Sequence, residues 1–451
     1  MNQVAKLEDK MEAIVSAIYH SYMVRKTHID SSLSDQYTRS PGWAQALYQA
    51  CSVADVNTTS ALVTGSKGKG TVSKLAEALV RGQGLKTGLF TSPHQLCYTE
   101  RIRVNGDEVS VEDFVRLGQG VQESLTNMED TIPLPQYMGP MAGWLALALR
   151  IFQDQETEVN ILECGRGARF DDVAVVKAQA AAINTIFDEH LPYLGQTDLD
   201  VAWHKAGIIQ DSMVGVVVAR QSPEVLKVIK DEASLKGVPL LVVGQDLQAE
   251  VVHPTEEGWV VNLVTPHGTY TDVSIKGLPT YAIDNGLMAL ALAEILCGGP
   301  LDHQVVMSVF EDFSFAGCME RLEDQPPLHV DGCIHRVCAQ AIVETLGRRY
   351  DKPAVYVLGI PDNKDIAGVL ASLVPHGKAI ICTMPDRCHL PFSDLPMTIA
   401  KANGYEKVEL IPNTADALKR ARHLSGGELP LVLLGTQIWV GQARQIVESE
   451  Q

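Results

Sequence analysis

The sequence contains no apolar run of the roughly 18 residues that a membrane-spanning helix needs. Its longest apolar stretches, Met141–Phe152 and Met213–Ala219, are too short or interrupted. The opening MNQVAKLEDKMEAIV carries acids among its apolar residues and has no signal-peptide core. Nine cysteines in so long a chain, none in a CxxC pair, do not make a disulfide framework. Basic residues are in short supply, 37 Lys plus Arg against 55 Asp plus Glu, for a net charge of −18. A surface that negative repels phosphate backbones and anionic lipid, so neither nucleic acid nor a membrane is an expected partner. These absences point to a cytosolic protein in which any bound phosphate is held by a local device, against the global field.

What is present is enough apolar material for large interiors. Of the 451 residues, 46 % are hydrophobic and 20 % charged, which suits two or three packed domains. Short β-branched runs recur at Ala61–Thr64, Thr87–Thr91, Val159–Cys164, Ala181–Ile186 and Gly215–Arg220, and again from Leu328–Val330 to Pro430–Leu434. Between them, Thr71–Gln83, Asp284–Leu296, Asp365–Leu373 and Thr414–Leu424 have apolar residues at helical spacing. Alternating strands and helices predict an α/β fold with parallel sheets. From Leu240 to Ile275 the pattern turns to strand–turn–strand and predicts a small antiparallel extension of the first sheet. The expected division is a P-loop parallel-sheet ATPase domain over residues 1–314 and a smaller Rossmann-like α/β domain over 315–451, facing each other across a cleft.

The strongest local signal is Thr64-Gly-Ser-Lys-Gly-Lys-Gly-Thr71, between a predicted strand and a predicted helix. Glycines there let backbone N–H groups close around phosphate oxygens, with the helix N-terminus favouring negative charge. Lys69 is placed to reach the β- and γ-phosphates and the Thr71 hydroxyl to ligate Mg²⁺. The match to the standard P-loop is imperfect: Val63 stands at its first glycine, and Gly70 separates lysine from threonine.

Gly65–Thr71, then Phe90-Thr-Ser-Pro-His94 and Tyr98-Thr-Glu-Arg-Ile-Arg-Val-Asn-Gly106, closely resemble the folylpolyglutamate synthase and dihydrofolate synthase branch of the Mur ligases. Leu162-Glu-Cys-Gly-Arg-Gly-Ala-Arg-Phe-Asp171, Asp188-Glu-His190, Leu194-Gly-Gln-Thr197, His204-Lys-Ala-Gly-Ile208 and Gly435-Thr-Gln-Ile-Trp-Val-Gly441 follow in that family's order. The resemblance implies an ATP-dependent ligase that turns a carboxylate into an acyl phosphate and couples it to an amino acid, glutamate being the first expectation. It implies nucleotide contacts at Gly65, Ser66, Lys67, Gly68, Lys69, Gly70, Thr71, Asn285 and Asp331. It implies a first Mg²⁺ held by Thr71, Ser92 and Glu163, a second metal served by His190, and a carbamylated Lys205. Lys69, His190 and Lys205 are the implied catalytic groups. Asn285 is expected to open a helix and to face adenine.

The sequence also departs from the family pattern. Phe315-Ala-Gly-Cys-Met-Glu-Arg321 places Cys318 where the family delivers an arginine to the phosphates. Asp331-Gly-Cys-Ile-His-Arg336 keeps the aspartate, puts Ile334 where the family has histidine, and leaves Arg336 as a substitute positive charge. Gln136-Tyr-Met-Gly-Pro140 and residues 20–60 do not follow the family's folate side. The leading expectation is therefore a ligase acting on a non-standard carboxylate acceptor, as a monomer or homodimer. The alternatives are a folylpolyglutamate or dihydrofolate synthase and a non-catalytic nucleotide-binding paralogue. The clustered Cys318, Cys333, His335, Cys338, Cys388 and His389 are expected to pack as ordinary side chains more often than to hold zinc.

Overall fold

The structure, a computed structural model, describes residues 3–30, 32–53, 58–314, 317–385 and 390–449. Cys388 and His389 lie outside the described residues. Three sheets carry the chain.

The first sheet has eight strands: β1 (Thr59–Thr64), β2 (Thr87–Phe90), β3 (Ile102–Val104), β4 (Asp107–Glu108), β5 (Val159–Glu163), β6 (Ala180–Ile183), β7 (Gly215–Val218) and β8 (Leu240–Val242). Their spatial order is β4-β3-β2-β5-β1-β6-β7-β8. From β2 to β8 all neighbours run parallel, and β3 and β4 add an antiparallel edge. The inner strands are buried along almost their whole length, Thr59 at the start of β1 being partly exposed, as their unbroken apolar runs require. Successive β1 side chains serve opposite faces: Leu62 packs with helices Gln3–Arg25, Val111–Glu129 and Pro140–Asp154, whereas Ala61 and Val63 pack with helices Lys69–Gly82 and Tyr281–Cys297. The apolar stretch Met141–Phe152 is thus a core helix, and Met213–Ala219 contains an inner strand.

The region 240–276 differs from the expected extension of the first sheet. Leu240–Val242 closes the parallel sheet, whereas β9 (Gln248–Pro254), β10 (Gly258–Val264) and β11 (Thr269–Lys276) form a separate antiparallel sheet. The turn at 243–247 explains the break: Asp246 takes the Val242 N–H, and the chain reverses before β9 can join the β8 edge.

The third sheet holds β12 (Glu320–Asp324), β13 (Pro327–Asp331), β14 (Ala354–Gly359), β15 (Gly377–Cys382), β16 (Val408–Leu410) and β17 (Leu431–Gly435). Its order is β12-β13-β17-β14-β15-β16, parallel throughout except for β12. The C-terminal ends of β1, β5 and β6 open toward the C-terminal end of β13, where open parallel sheets place their ligands.

Candidate active site

A cleft of about 450 Å³ lies between the first and third sheets. One wall is the turn from β1 into helix Lys69–Gly82. Gly65 has φ +148°, and a Cβ there would come within 2.6 Å of the Asn184 Cβ. Gly68, with φ +78°, caps the helix, and a Cβ there would meet the side chains of Asn184 and Asn285. Only glycine allows this turn. Ser66 anchors it: its N–H donates to the Thr185 carbonyl at 2.9 Å, and its hydroxyl pairs with the Phe187 backbone, donating to the carbonyl and accepting the N–H, both at 3.2 Å. Lys69 Nζ donates to the Gly65 carbonyl at 2.9 Å, and Ser66 to Thr71 all line the cleft.

Thr71, Ser92 and Glu163 arrive from the first helical turn, the loop after β2 and the end of β5, and all three face the cleft. Glu163 is buried, and its Oε2 accepts the Ser92 N–H at 3.2 Å. Burial raises its pKa, opposed by Lys69 and by the Ser92 N–H.

Glu189, His190 and Lys205 form a second group. Lys205 is fully buried; its Nζ lies 2.9 Å from Glu189 Oε1 and donates to the Gly65 carbonyl at 2.9 Å. Burial pushes its pKa down, opposed by Glu189. Burial works against Glu189 as an anion, yet nearby positive charge, Lys205 first, outweighs it and holds its pKa at about 2. His190 takes φ +52°, with Nε2 3.5 Å from Glu189 Oε2; burial brings its pKa down to about 3, so it is neutral.

Asn285 lies inside helix Tyr281–Cys297 instead of opening it, because the apolar face begins a turn earlier at Tyr281 and Ala282. Its Oδ1 accepts from Asn184 Nδ2 at 2.8 Å under the glycine turn.

The opposite wall reaches across. Lys67 Nζ donates to Asp331 Oδ1 at 3.0 Å and to the Gly332 carbonyl at 2.8 Å. Asp331 is fully buried, and its other oxygen accepts from the Tyr281 hydroxyl at 2.8 Å and the Met319 N–H at 2.9 Å. Burial opposes the charge on Lys67, but Asp331 more than restores it and raises the pKa. Cys318 lines the same space, and burial pushes its thiol up to about 12, a neutral group. Arg321, on β12, turns to the Glu323 and Asp324 carbonyls, outside the cleft lining. Arg336 does line the cleft, and its guanidinium is shared between Asp188 (2.7 and 2.8 Å) and Asp365 (3.1 Å). Sequence reasoning missed Phe187, which stacks on His335 with centroids 4.3 Å apart, and Lys364 and Gln437, which line the cleft. The run Asn184-Thr-Ile-Phe187 before Asp188 was the available signal for the first.

Residues 63–293, a little over half of the chain, match the Mur ligase middle domain. The chain belongs to the Mur ligase family. Among its relatives, the dihydrofolate synthase/folylpolyglutamate synthase of Mycobacterium tuberculosis is 27 % identical over 380 residues, 80 % of this chain and 78 % of the relative. The enzyme of the same name from Bacillus subtilis is 27 % identical over 306 residues, 66 % of this chain and 69 % of the relative. A crystal structure of M. tuberculosis folylpolyglutamate synthase complexed with ADP and AMPPCP has a TM-score of 0.84 at 25 % identity, covering 91 % of this chain and 95 % of that one. This Mur ligase is an ATP-dependent, ADP-forming carboxylate–amine ligase.

Proposed function

We propose that this ligase catalyses the folylpolyglutamate or dihydrofolate synthase reaction, joining glutamate to a pteroate or folate carboxylate. The observation that carries the reading is the match to enzymes of that name over four-fifths of the chain. The glycine turn with Lys69 would hold the triphosphate. A carboxylate oxygen attacks the γ-phosphorus, the bond to the β-phosphate oxygen breaks and ADP leaves. The amine nitrogen then attacks the acyl carbon, the C–O bond to phosphate breaks, and the amine gives up a proton.

The donor set beside Lys69 suits Mg²⁺. Thr71, Ser92 and Glu163 offer hard oxygens only, and a buried carboxylate whose charge is poorly solvated gains from a cation. Bound there, the ion would neutralise charge where two anions meet. His190, being neutral, fits a second cation. Lys205 fits a carbamate in one respect, since burial favours the free amine that CO₂ needs. A carbamate beside Glu189 would also require a cation between the two anions, which His190 would share. Asn285 remains the candidate for adenine and Asp331 for holding Lys67. We place the division between the two domains at residues 314/315, and the enzyme in the cytosol; no helix among the described residues is long and apolar enough to cross a membrane.

A non-standard acceptor is the second reading, favoured by one observation. The two stretches that depart from the family's folate side pack together: Trp43 Nε1 donates to Gln136 Oε1 at 2.7 Å, the Met138 N–H to Ser21 Oγ at 3.0 Å, and Tyr22 lies 5.5 Å from Tyr137. One experiment separates the readings: ATP, Mg²⁺ and glutamate are supplied with dihydropteroate or tetrahydrofolate, and products are resolved by mass. A glutamyl adduct with ADP in equal amount is expected; ADP formation only with other carboxylic acids would favour the second reading.

A further inference from the structure

The two halves enclose a second cavity, of about 650 Å³, that shares no lining residue with the cleft. Adjacent residues separate the two spaces: Thr280 lines the cavity and Tyr281 the cleft. The first half contributes the turn from β9 into β10 and the segment ahead of helix Tyr281–Cys297. The second half contributes Arg321 of β12 and the later turns of helix Arg336–Arg349. Cavities of this order of size hold small organic ligands.

In a chain of net charge −18, this cavity gathers cations. Arg321, Arg348 and Arg349 line it, against the carboxylates of Glu256 and Glu344. Basic residues in the last turn of a helix answer its dipole and are common there. The dipole does not account for Arg321, which comes from a strand and is held to Asp324 at 3.0 Å. Nor does it account for Arg348, which makes no hydrogen bond or ion pair with any described residue. Glu344 stands one helical turn before it, where such pairs commonly form. Arg349 gives one N–H to the Thr255 carbonyl at 3.0 Å, across the junction of the halves, and keeps its other donors.

Two aromatic side chains line the same space, and both are fixed. Trp259 Nε1 donates to the Leu278 carbonyl at 3.1 Å, and the Tyr350 hydroxyl pairs with His329 Nε2 at 2.7 Å. With these polar atoms engaged, the two residues give the cavity mainly ring surface.

We propose that this cavity is a second ligand site, for a small organic anion in which one carboxylate or phosphate group is joined to a flat ring. A guanidinium presents paired N–H donors that match two oxygens of either group, and the ring finds Trp259 and Tyr350. Glu256 and Glu344 repel a highly charged anion such as a triphosphate, which selects for a ligand with a single anionic group. Bound there, the ligand touches both halves at the junction that Arg349 bridges. The site stands apart from the ligase reaction and from the residues assigned to it.

The test titrates the full-length protein, its cleft filled with Mg²⁺ and AMPPCP, with AMP and separately with 4-hydroxybenzoate in a calorimeter. At least one probe is expected to bind with a stoichiometry of one. AMP alone would assign the anion as a phosphate, and 4-hydroxybenzoate alone as a carboxylate. Arg348→Gln should weaken that binding about tenfold and leave AMPPCP affinity and the thermal midpoint unchanged, because this side chain holds nothing else in place. Arg349→Gln should weaken it as well. The proposal is overturned if neither probe binds, or if binding is the same in both variants. Neither readout uses turnover, so failure here counts against the second site and leaves the ligase function untouched.

Discussion

Glu163 is a single buried carboxylate whose charge is solvated by one backbone N–H and by lysines at a distance. Replacing it with Gln keeps the shape and the Ser92 contact but removes the anion that would hold a cation. ADP formation should fall by about two orders of magnitude, while the thermal midpoint holds or rises because an unfavourable buried charge has gone. His329 is the opposite case, a buried neutral histidine whose Nε2 lies 2.7 Å from the Tyr350 hydroxyl. Burial brings its pKa down to about 4. Between the ordinary value of about 6.5 and this one, the unfolded chain binds the proton and the native state does not. Stability is therefore fully present above the unfolded value and is lost as pH falls through this window, by on the order of 3 kcal/mol. Urea midpoints measured from pH 7 to 4 should show that slope, and His329→Gln should flatten it. At this scale the sequence led to residues that the fold brings together: Lys69, Glu163 and His190 line the cleft, and Lys205 lies against Glu189 beside it. It named Lys67 and Asp331 only as nucleotide contacts and not as partners of each other; they are 264 residues apart, and their pairing is set by how the two halves meet.

The element that matters most is the turn from β1 into helix Lys69–Gly82. Its shape depends on Gly68 at positive φ, with Asn184 and Asn285 filling the space beneath. Gly68→Ala adds strain and a steric conflict with both amides. We expect a stability loss of about 1 kcal/mol and a much larger loss of ATP affinity, read by calorimetry and melting of the same variant. Parallel strands were readable from the sequence because burial on both faces gives unbroken apolar runs. The segment 248–276 was not, since its alternating pattern is equally that of an edge hairpin or a free-standing sheet, and the turn at 243–247 decides between them. The Asn285 helix was misplaced by one turn for a similar reason: Tyr281 opens it without a side-chain cap.

At the scale of the whole molecule, the halves are joined by polar contacts whose partners lie far apart in sequence. Lys67 meets Asp331, Arg336 meets Asp188, and Gln95 donates to Gln437 at 2.9 Å. Lys67→Met would leave Asp331 buried with only a hydroxyl and an N–H as donors. Breaking one side of a buried ion pair typically costs about 3 kcal/mol or more. Urea unfolding should register that loss, and weaker ATP binding should accompany it because the turn and the opposite wall no longer hold each other. An unchanged stability would mean that solvent reaches Asp331 and that the ion pair does not brace the cleft. The cleft itself was foreseeable, since two α/β units without a low-complexity linker have to face each other closely. Which residues cross it was not, because that depends on the angle between two sheets that no local pattern encodes.

The central claim is that the cleft brings a carboxylate to the γ-phosphate of ATP and activates it there. Turnover with an acceptor carrying ¹⁸O in its carboxylate tests this directly. One labelled oxygen should appear in the inorganic phosphate released with ADP; label in AMP, or phosphate free of label, would contradict an acyl phosphate and with it the role given to the Gly65–Thr71 turn.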